Sequence, residues 1–314
     1  MIPKVICVVG PTGCGKTKLG VLLAQQLEGE VVSCDSMQVY RGMVIGTAAP
    51  TQEEMEGVPH HMIGVAAPTE DYSAARYARE AGECVDEILR RGKWPIIVGG
   101  TGLYLDALLH GGGFAPGQIG GAVRRELSAQ LAKEGLAALY ARLQQIDPAR
   151  AEKISPRDEK RIIRALEIWH ETGKTMSEHD SAAQAAPLRY EPIYLGLAYE
   201  DREEMKRAID RRVDQMVQKG LFEEVQGLLA SGLPEKATAL QAIGYRQCLR
   251  YFSGEASRED TIEEIKLRSR QYAKRQLTWL RRNPEIHWFF WKNSRDFACA
   301  LQFSTKILTQ YGVS

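Results

Sequence analysis

Short apolar runs alternate with amphipathic stretches over the first 110 residues of this chain. The runs predict buried strands at 4–9, 30–34 and 94–98, and the stretches between them predict helices at 16–28 and 74–91. Ser73 is a suitable N-cap for the second helix, and Gly92 a suitable residue to end it. Strands that alternate with helices in this way predict an α/β fold, a parallel sheet with helices on both faces.

The alternation stops near residue 110. Residues 111–121 are rich in glycine and contain a proline, which is typical of a hinge or linker. The remaining pattern predicts helices at 122–134, 136–145 and 158–172, a small polar linker at 181–189, a core strand at 192–198, and helices near 201–219, 221–230 and 259–282. We therefore expect a core domain of residues 1–115 and 187–314, interrupted by an all-helical insertion domain of residues 116–186.

The composition is that of an ordinary globular protein, with 44% hydrophobic and 26% charged residues and a net charge of +1. No apolar run approaches the roughly 18 residues that a membrane span needs, and Met1–Lys4 leads directly into the first predicted strand, so we expect no membrane span and no signal peptide. The six cysteines form no C-x-x-C pair, so we expect reduced thiols, no zinc site and a cytoplasmic protein. Nothing in the sequence indicates more than a monomer or an obligate protein partner.

The near-zero net charge conceals one strongly basic segment. Residues 266–282 contain seven basic residues and no acidic one, and Tyr272 and Trp279 lie among them. Cations interleaved with aromatic rings suit single-stranded nucleic acid, because phosphates pair with the cations and bases stack on the rings. The alternative is an amphipathic surface helix in which Trp279 is buried.

One motif carries a specific chemical signal. Residues 10–17 match the pattern G-x-x-x-x-G-K-T, and they lie between a predicted strand and a predicted helix, as a phosphate-binding P-loop requires. The members are Gly10, Pro11, Thr12, Gly13, Cys14, Gly15, Lys16 and Thr17. Backbone N–H groups and Lys16 would hold a di- or triphosphate such as ATP, and the Thr17 hydroxyl would bind Mg²⁺. Cys14 is either a reactive thiol or a small residue that fills the loop.

Polar residues follow two other predicted strands. Asp35 ends the second strand, and because ligands bind at the carboxyl ends of parallel strands, it is a Mg²⁺ ligand, a general base or a turn cap. The third strand ends in Gly99 and Gly100 before Thr101, where an ordinary ATPase has an aspartate. This weakens an ATPase assignment but leaves a kinase open. The adjacent His60 and His61 favour a hydrogen-bonded loop over a shared metal site.

Several segments together resemble the tRNA dimethylallyltransferase (tRNA isopentenyltransferase) family, in its bacterial form. The matching segments run in order over nearly the whole chain: 10–17, 35–43, 45–48, 59–61, 73–74, 98–104, 161–167, 243–246 and 274–281. The D-S-M-Q-V-Y and K-R-Q-x-T-W-L-R stretches are far more specific than the P-loop. The family's fold is a P-loop NTPase-like parallel sheet flanked by helices, with a helical insertion.

The resemblance implies transfer of a dimethylallyl group from dimethylallyl diphosphate to N6 of adenosine 37 in the anticodon loop of tRNA. It implies Asp35 as general base, Thr101 as its helper, and Mg²⁺ on Thr17 as cofactor. Arg212 would join the P-loop in binding diphosphate. The residues it places at the tRNA anticodon stem-loop are Asp35, Ser36, Met37, Gln38, Thr101, Arg124, Lys160, Arg161, Arg164, Gln241, Gly244, Tyr245, Arg246, Lys274, Arg275, Gln276, Thr278, Trp279 and Arg281.

Two positions depart from the family pattern. Gly64 stands where family members usually have an acidic residue, and the glycine-rich linker lacks an acidic residue before Arg124. Three other functions fit parts of the sequence: a P-loop small-molecule kinase, an adenylate isopentenyltransferase that acts on free nucleotide, and a non-catalytic RNA-binding protein. The basic C-terminal segment favours RNA over free nucleotide, and the Asp35 segment disfavours a kinase or a passive binder.

Overall fold

The computed structural model describes residues 2–111, 121–292 and 294–313 of the chain, so most of the glycine-rich linker predicted at 111–121 lies outside the described residues. Six strands are present in this part of the chain: β1 Lys4–Val9, β2 Glu30–Cys34, β3 His60–His61, β4 Pro95–Gly99, β5 Glu191–Tyr199 and β6 His287–Trp291. Its α-helices are α1 Lys16–Leu27, α2 Gln52–Met55, α3 Ala74–Arg90, α4 Gly102–Leu109, α5 Ala122–Glu134, α6 Leu136–Ile146, α7 Pro148–Ala151, α8 Glu159–Thr172, α9 Met176–Ala185, α10 Arg202–Gln218, α11 Leu221–Ala230, α12 Tyr245–Phe252, α13 Arg258–Leu280 and α14 Phe297–Gln310.

The predicted strands and long helices are confirmed, mostly to within one or two residues. The Ser73 hydroxyl accepts the N–H of Arg76 at 3.1 Å, as an N-cap does, and Gly92 adopts a φ of 71° just beyond α3. The linker predicted at 181–189 is wrong over its first half, because α9 extends to Ala185. Threonine capping starts that helix, and its alanine-rich sequence favours a helix despite being small and polar.

All strand pairs in the sheet are parallel, and the order is β3-β2-β4-β1-β5-β6. The chain leaves β1 and reaches β2 on the far side of β4, whereas β5 pairs with the other edge of β1. The carboxyl end of β1 is therefore a point where the connections diverge to the two sides of the sheet. Ligands of open parallel sheets bind at such a point.

The chain divides into two compact units, Met1–Leu109 with Tyr190–Ser314 and His110–Arg189. The first unit contains the sheet, and its core is formed by apolar residues of β1, β4 and β5 together with the inner face of α1. Gly20 brings α1 close to the sheet, because a Cβ at this position would lie 2.5 Å from Val98. Close packing of this kind fixes the helix that follows the P-loop.

The second unit contains α5–α9 and no strand among its described residues. Its core is built from leucine and isoleucine side chains of α5, α6 and α8, among them Leu127, Leu143 and Leu166. A buried carboxylate, Asp147, ties α7 to α9 because it accepts hydrogen bonds from both the N–H and the hydroxyl of Ser177. Across the described parts of both units, no helix has the length and apolar character needed to cross a membrane.

Candidate active site

The P-loop lies at the carboxyl end of β1, as predicted. Gly13 and Gly15 have φ values of 78° and 91°, in the left-handed region that favours glycine. No side chain of the described residues caps α1, so its first N–H groups are available to a ligand. Lys16 reaches back over the loop and donates to the carbonyl of Pro11 at 2.8 Å.

Residues from the far C-terminal part of the chain brace this loop. Gln276 of α13 accepts the N–H of Thr12 at 2.8 Å and donates to the Gly100 carbonyl at 2.9 Å. The Trp291 indole donates to the Cys14 carbonyl at 2.9 Å. Arg295 and Tyr199 also bind the loop, because both hydrogen-bond the carbonyl of Gly13. The loop conformation therefore depends on contacts that no local sequence signal indicates.

Two cations face the cavity beside the loop, Lys16 and Arg212. Burial lowers the pKa of Lys16, and the positive charge of Arg212 lowers it further, although Asp35 acts in the opposite direction. Burial likewise lowers the pKa of the Arg212 guanidinium. Arg212 is held by the Thr47 carbonyl, to which it donates at 3.2 Å. An incoming diphosphate would relieve the repulsion between these cations.

Asp35 follows β2 and points into the same region. One of its oxygens, Oδ1, accepts the N–H groups of Met37 at 2.9 Å and Gln38 at 3.3 Å, so the predicted turn cap is present. Its Oδ2 makes no hydrogen bond with any residue that the structure describes. The turn thus fixes the carboxylate through one oxygen and leaves the other for a ligand.

Thr101 and Tyr272 complete the surroundings of Asp35. The Thr101 hydroxyl accepts the N–H of Ser36 at 3.2 Å, which ties the end of β4 to the turn after β2. Tyr272 lines the space around Asp35. Burial together with the nearby Asp35 charge raises the pKa of Tyr272 to about 12. Tyr272 therefore remains a neutral phenol, able to donate or accept a hydrogen bond at neutral pH.

These residues line two neighbouring cavities. The smaller one, of about 70 Å³, is lined by Lys16, Thr17, Asp35, Arg212 and Tyr272, among others. The larger one, of about 300 Å³, shares Asp35 and Arg212 with the first, and its apolar lining includes Ile209, Val213 and Met216 of α10 and Ile265 of α13. A phosphate cradle, a carboxylate and an apolar compartment are therefore continuous in the sheet-containing unit.

The two glycines that replace the usual strand-end aspartate have a steric explanation. A Cβ at Gly99 would lie 2.0 Å from the carbonyl oxygen of Cys34, and a Cβ at Gly100 would lie 2.3 Å from the Gln276 amide. Any larger side chain there would displace β2 or α13. The end of β4 is therefore unable to carry a catalytic carboxylate.

The basic segment of α13 divides into two parts. The first three cations are paired: Lys266 with Asp214, Arg268 with Glu264 and Arg270 with Asp210. The last four are exposed and form no ion pair within the described residues: Lys274, Arg275, Arg281 and Arg282. The Thr278 hydroxyl bonds back to the Lys274 carbonyl. The C-terminal part of the helix is thus the part with free charge for a polyanion.

Several residues predicted to contact tRNA have packing roles in this structure. Gln276 is buried beside the P-loop, Trp279 packs against Gly102 at the start of α4, and the Tyr245 side chain is fully buried against Gly46. Predicted contacts that are exposed include Gln241, Arg246 and Arg281, whereas Ser36 and Met37 line the larger cavity and Gly244 has a φ of 99° at the start of α12. Direct RNA contact by any of them stays a prediction.

Four predicted tRNA contacts belong to the helical unit. Arg164 donates to Glu167 at 2.8 Å, and Arg124 lies 3.6 Å from the other oxygen of the same buried carboxylate. Arg161 forms an ion pair with Asp158, and Lys160 is exposed beside it on α8. The family pattern has an acidic residue in the linker before Arg124, and this chain lacks it. In the structure, the acidic partner of Arg124 is instead Glu167 of α8. Sequence reasoning gave Glu167 no role, because its charge alone does not distinguish it from solvated glutamates.

The two adjacent histidines point to different partners, as expected. Nδ1 of His60 lies 2.8 Å from the Val58 carbonyl, and Nε2 of His61 lies 2.7 Å from the buried Glu30 carboxylate. No group of three or more histidine, cysteine, aspartate or glutamate residues within the described ranges could hold a metal ion. A Mg²⁺ ion at Thr17 would therefore take its remaining ligands from water and substrate phosphates, the usual pattern for this ion.

Fold and site together define a P-loop α/β protein whose phosphate cradle opens toward a carboxylate rather than toward an ATPase-type strand end. A family model described as IPP transferase matches residues 38–283, and one described as isopentenyl transferase matches residues 3–64. Because the first covers most of the chain, this protein belongs to the IPP transferase family.

Relatives and solved structures agree with this assignment. The chain is 45% identical over 307 residues to a tRNA dimethylallyltransferase of Geobacillus kaustophilus, covering 98% of this chain and 95% of the relative. A tRNA isopentenylpyrophosphate transferase of Bacillus halodurans is 39% identical, with a TM-score of 0.72 over 98% of both chains. A eukaryotic dimethylallyltransferase, solved acting on tRNA, is 32% identical, with a TM-score of 0.80 over 98% of this chain and 80% of that one.

Proposed function

We propose that this protein transfers a dimethylallyl group from dimethylallyl diphosphate to N6 of adenosine 37 in the tRNA anticodon loop. The observation that carries the proposal is the shared cavity. Asp35 lines the same small space as Lys16, Thr17 and Arg212, so a proton acceptor faces a diphosphate cradle. A cytoplasmic location follows from the tRNA substrate and belongs to the proposal.

The diphosphate would occupy the P-loop. Backbone N–H groups at the start of α1, Lys16 and Arg212 would oppose the negative charge that grows on the leaving oxygen as the C1–O bond breaks. Mg²⁺ held by the Thr17 hydroxyl would supply further positive charge to the departing diphosphate. The apolar compartment next to Asp35, formed in part by Ile209 and Val213, would take the hydrocarbon part of the substrate.

The amine would approach from the side of Asp35. N6 of adenosine is a weak nucleophile because its lone pair is delocalised into the ring. As the N6–C1 bond forms, the free Oδ2 of Asp35 would accept the N6 proton, and diphosphate would leave with the electrons of the C1–O bond. A positioned base of this kind contributes about 10²–10⁴-fold. Thr101 would hold the turn that carries Asp35 through its contact with the Ser36 N–H, and Tyr272 lines the same two cavities as Asp35.

RNA would be held outside this centre. The unpaired cations at the end of α13 and the exposed Lys160 of the helical unit are groups with charge to offer phosphates. The adenine must leave its stack to reach Asp35, which costs a few kcal/mol. Phosphate contacts therefore supply binding free energy that offsets the unstacking.

The test is prenyl transfer by the purified protein. An anticodon stem-loop with adenosines at 36–38, incubated with dimethylallyl diphosphate and Mg²⁺, should give a product heavier by one dimethylallyl group. Two controls should give no such product: a stem-loop with guanosine at position 37, and the original stem-loop with ATP in place of dimethylallyl diphosphate. Asp35→Asn should lower kcat by about 10²–10⁴-fold while tRNA affinity changes less than about threefold. ATP-dependent phosphorylation of a small molecule without prenyl transfer would reject the proposal in favour of a kinase.

A further inference from the structure

A carboxylate outside the proposed catalytic centre organises one of its walls. Glu224, in the first turn of α11, accepts four hydrogen bonds at 2.5–3.0 Å. Three come from consecutive backbone N–H groups and one comes from the buried Tyr245 hydroxyl. The N–H donors are Val44, Ile45 and Gly46, the first residues of a segment, 44–48, that we call the 44–48 wall.

The 44–48 wall borders every cavity around the P-loop that was described above. Gly46 and Thr47 line the larger cavity beside Asp35, and Ala48 lines the smaller one. Carbonyl groups of the wall orient two side chains of the site. The Thr47 carbonyl accepts from Arg212 at 3.2 Å, and the Thr47 and Ala48 carbonyls accept from the Gln38 amide at 3.5 and 3.3 Å.

The contact with Gln38 connects the 44–48 wall to Asp35, the proposed base. Gln38 closes the turn on Asp35, since its N–H donates to Oδ1, and its side chain also accepts from Ser33 at 2.8 Å. The wall therefore touches the diphosphate side of the site through Arg212 and the acceptor side through Gln38. A displacement of the wall would move both, and reacting groups tolerate little displacement.

We infer that Glu224 is a positioning residue for the proposed transfer: its carboxylate fixes the 44–48 wall, and the wall sets Arg212 and the Asp35 turn. The inference rests on the proposed function and goes beyond it, because Glu224 itself does not line the described cavities. It also assigns Tyr245 a different role from the RNA contact predicted from sequence. Tyr245 is the fourth donor to Glu224. Its ring also packs closely against Gly46 of the wall, since a Cβ added at Gly46 would lie 2.4 Å from the ring.

Helix α11 provides a matched control. Glu223 precedes Glu224 in the same first turn, so Glu223→Gln and Glu224→Gln remove the same charge from the same helix N-terminus. Glu223 is exposed and makes no hydrogen bond to the wall within the described residues. Any difference between the two variants therefore reports the carboxylate contacts of Glu224 and not the helix dipole.

The experiment measures kinetics, RNA affinity and amide exchange in parallel. Glu224→Gln should lower kcat/KM for dimethylallyl diphosphate about 10–100-fold, change stem-loop affinity less than about threefold, and speed hydrogen exchange of peptides covering 43–49. Tyr245→Phe, which removes one donor of the four, should show a smaller loss of the same kind. Tyr245→Phe also keeps the inference testable if the Glu224→Gln variant does not fold. Glu223→Gln should match the unaltered protein in all three measurements.

The outcomes separate the two proposals. If the unaltered protein transfers no prenyl group, the proposed function fails, but the exchange experiment still tests the wall. If the protein is active and Glu224→Gln equals Glu223→Gln in kcat/KM, the positioning role is overturned, whatever the change in melting temperature. A loss confined to stem-loop affinity in Tyr245→Phe would overturn it as well, and would restore Tyr245 as an RNA contact.

Discussion

The divided charge of α13 gives the most direct test of RNA binding. Three of the seven cations in the basic segment 266–282, those from 266 to 270, are held in ion pairs with α10 or with α13 itself. The four at 274–282 are exposed without such partners in the described structure. A cation already paired with a carboxylate gains little from a phosphate, because its existing partner must first be displaced. Only the unpaired cations should therefore release counterions when RNA binds.

Two double variants isolate this difference, because each removes two positive charges and both therefore have the same net charge. Lys274→Gln with Arg275→Gln removes two unpaired cations, and Arg268→Gln with Arg270→Gln removes two paired ones. Each phosphate contact contributes about 0.7–0.9 to the slope of log affinity against log salt concentration. Losing two contacts should reduce the slope by about 1.4–1.8. Between 50 and 200 mM salt, the unaltered protein should then lose about 7–12-fold more affinity than the first variant does.

The assay is anticodon stem-loop affinity, by fluorescence anisotropy, at four or more salt concentrations. The variant at 268 and 270 should keep the slope of the unaltered protein to within about 0.5, and thermal melting should show both variants folded. Equal slope changes in the two variants would refute the reasoning, since ion pairing would then not decide which cations bind. An unchanged slope in the variant at 274 and 275 would remove this end of α13 from the RNA interface.

Two further predictions concern buried polar groups. Gln276→Leu removes the hydrogen bond to the Thr12 N–H of the P-loop and the one to the Gly100 carbonyl, so KM for dimethylallyl diphosphate should rise about 10-fold at unchanged salt slope. Weaker stem-loop binding at unchanged KM would instead support an RNA contact. Hydrogen bonds from Arg91, and also from His61 and Lys93, lower the pKa of the buried Glu30 to about 2. Because this pKa is depressed, the stabilisation is complete above about pH 4.5 and is lost as the pH falls toward 2. Glu30→Gln should therefore cost about 1.5–3 kcal/mol in urea unfolding at pH 7, and this cost should shrink below pH 4.5; a pH-independent cost would contradict the assignment.

The P-loop and Asp35 were predictable because their signals are local. Strand, glycine loop and helix are consecutive in sequence, and the carboxyl ends of parallel strands must meet at one edge of the sheet. Their braces were not predictable, since Gln276 and Trp291 lie more than 260 residues from the loop that they bind. Only the folded chain brings such groups together, and neither residue type carries a signature for this role.

Charge posed a similar problem in the RNA-binding prediction. The sequence marked residues 266–282 as uniformly basic, but Asp210 and Asp214 of α10 neutralise part of it from 50 to 60 positions away. For two aromatic residues, the structure shows a packing role that their motifs did not indicate. Tyr245 and Trp279 belong to motifs that resemble tRNA-contacting segments, yet in this structure their rings pack against Gly46 and Gly102. A motif identifies a segment of the chain, whereas packing decides which of its side chains are exposed.

The end of β4 explains why a P-loop can serve chemistry at carbon. Hydrolysis or transfer at phosphorus needs a carboxylate or amide that orients the nucleophile beside the terminal phosphate. Gly99 excludes such a group from its usual strand, because any side chain there would collide with the Cys34 carbonyl. Within the described structure, Asp35 is the carboxylate that lines the small cavity with Lys16, and it enters from β2. In the proposed reaction, Asp35 would therefore face the carbon atom to which the diphosphate is attached, and the P-loop would hold the leaving group.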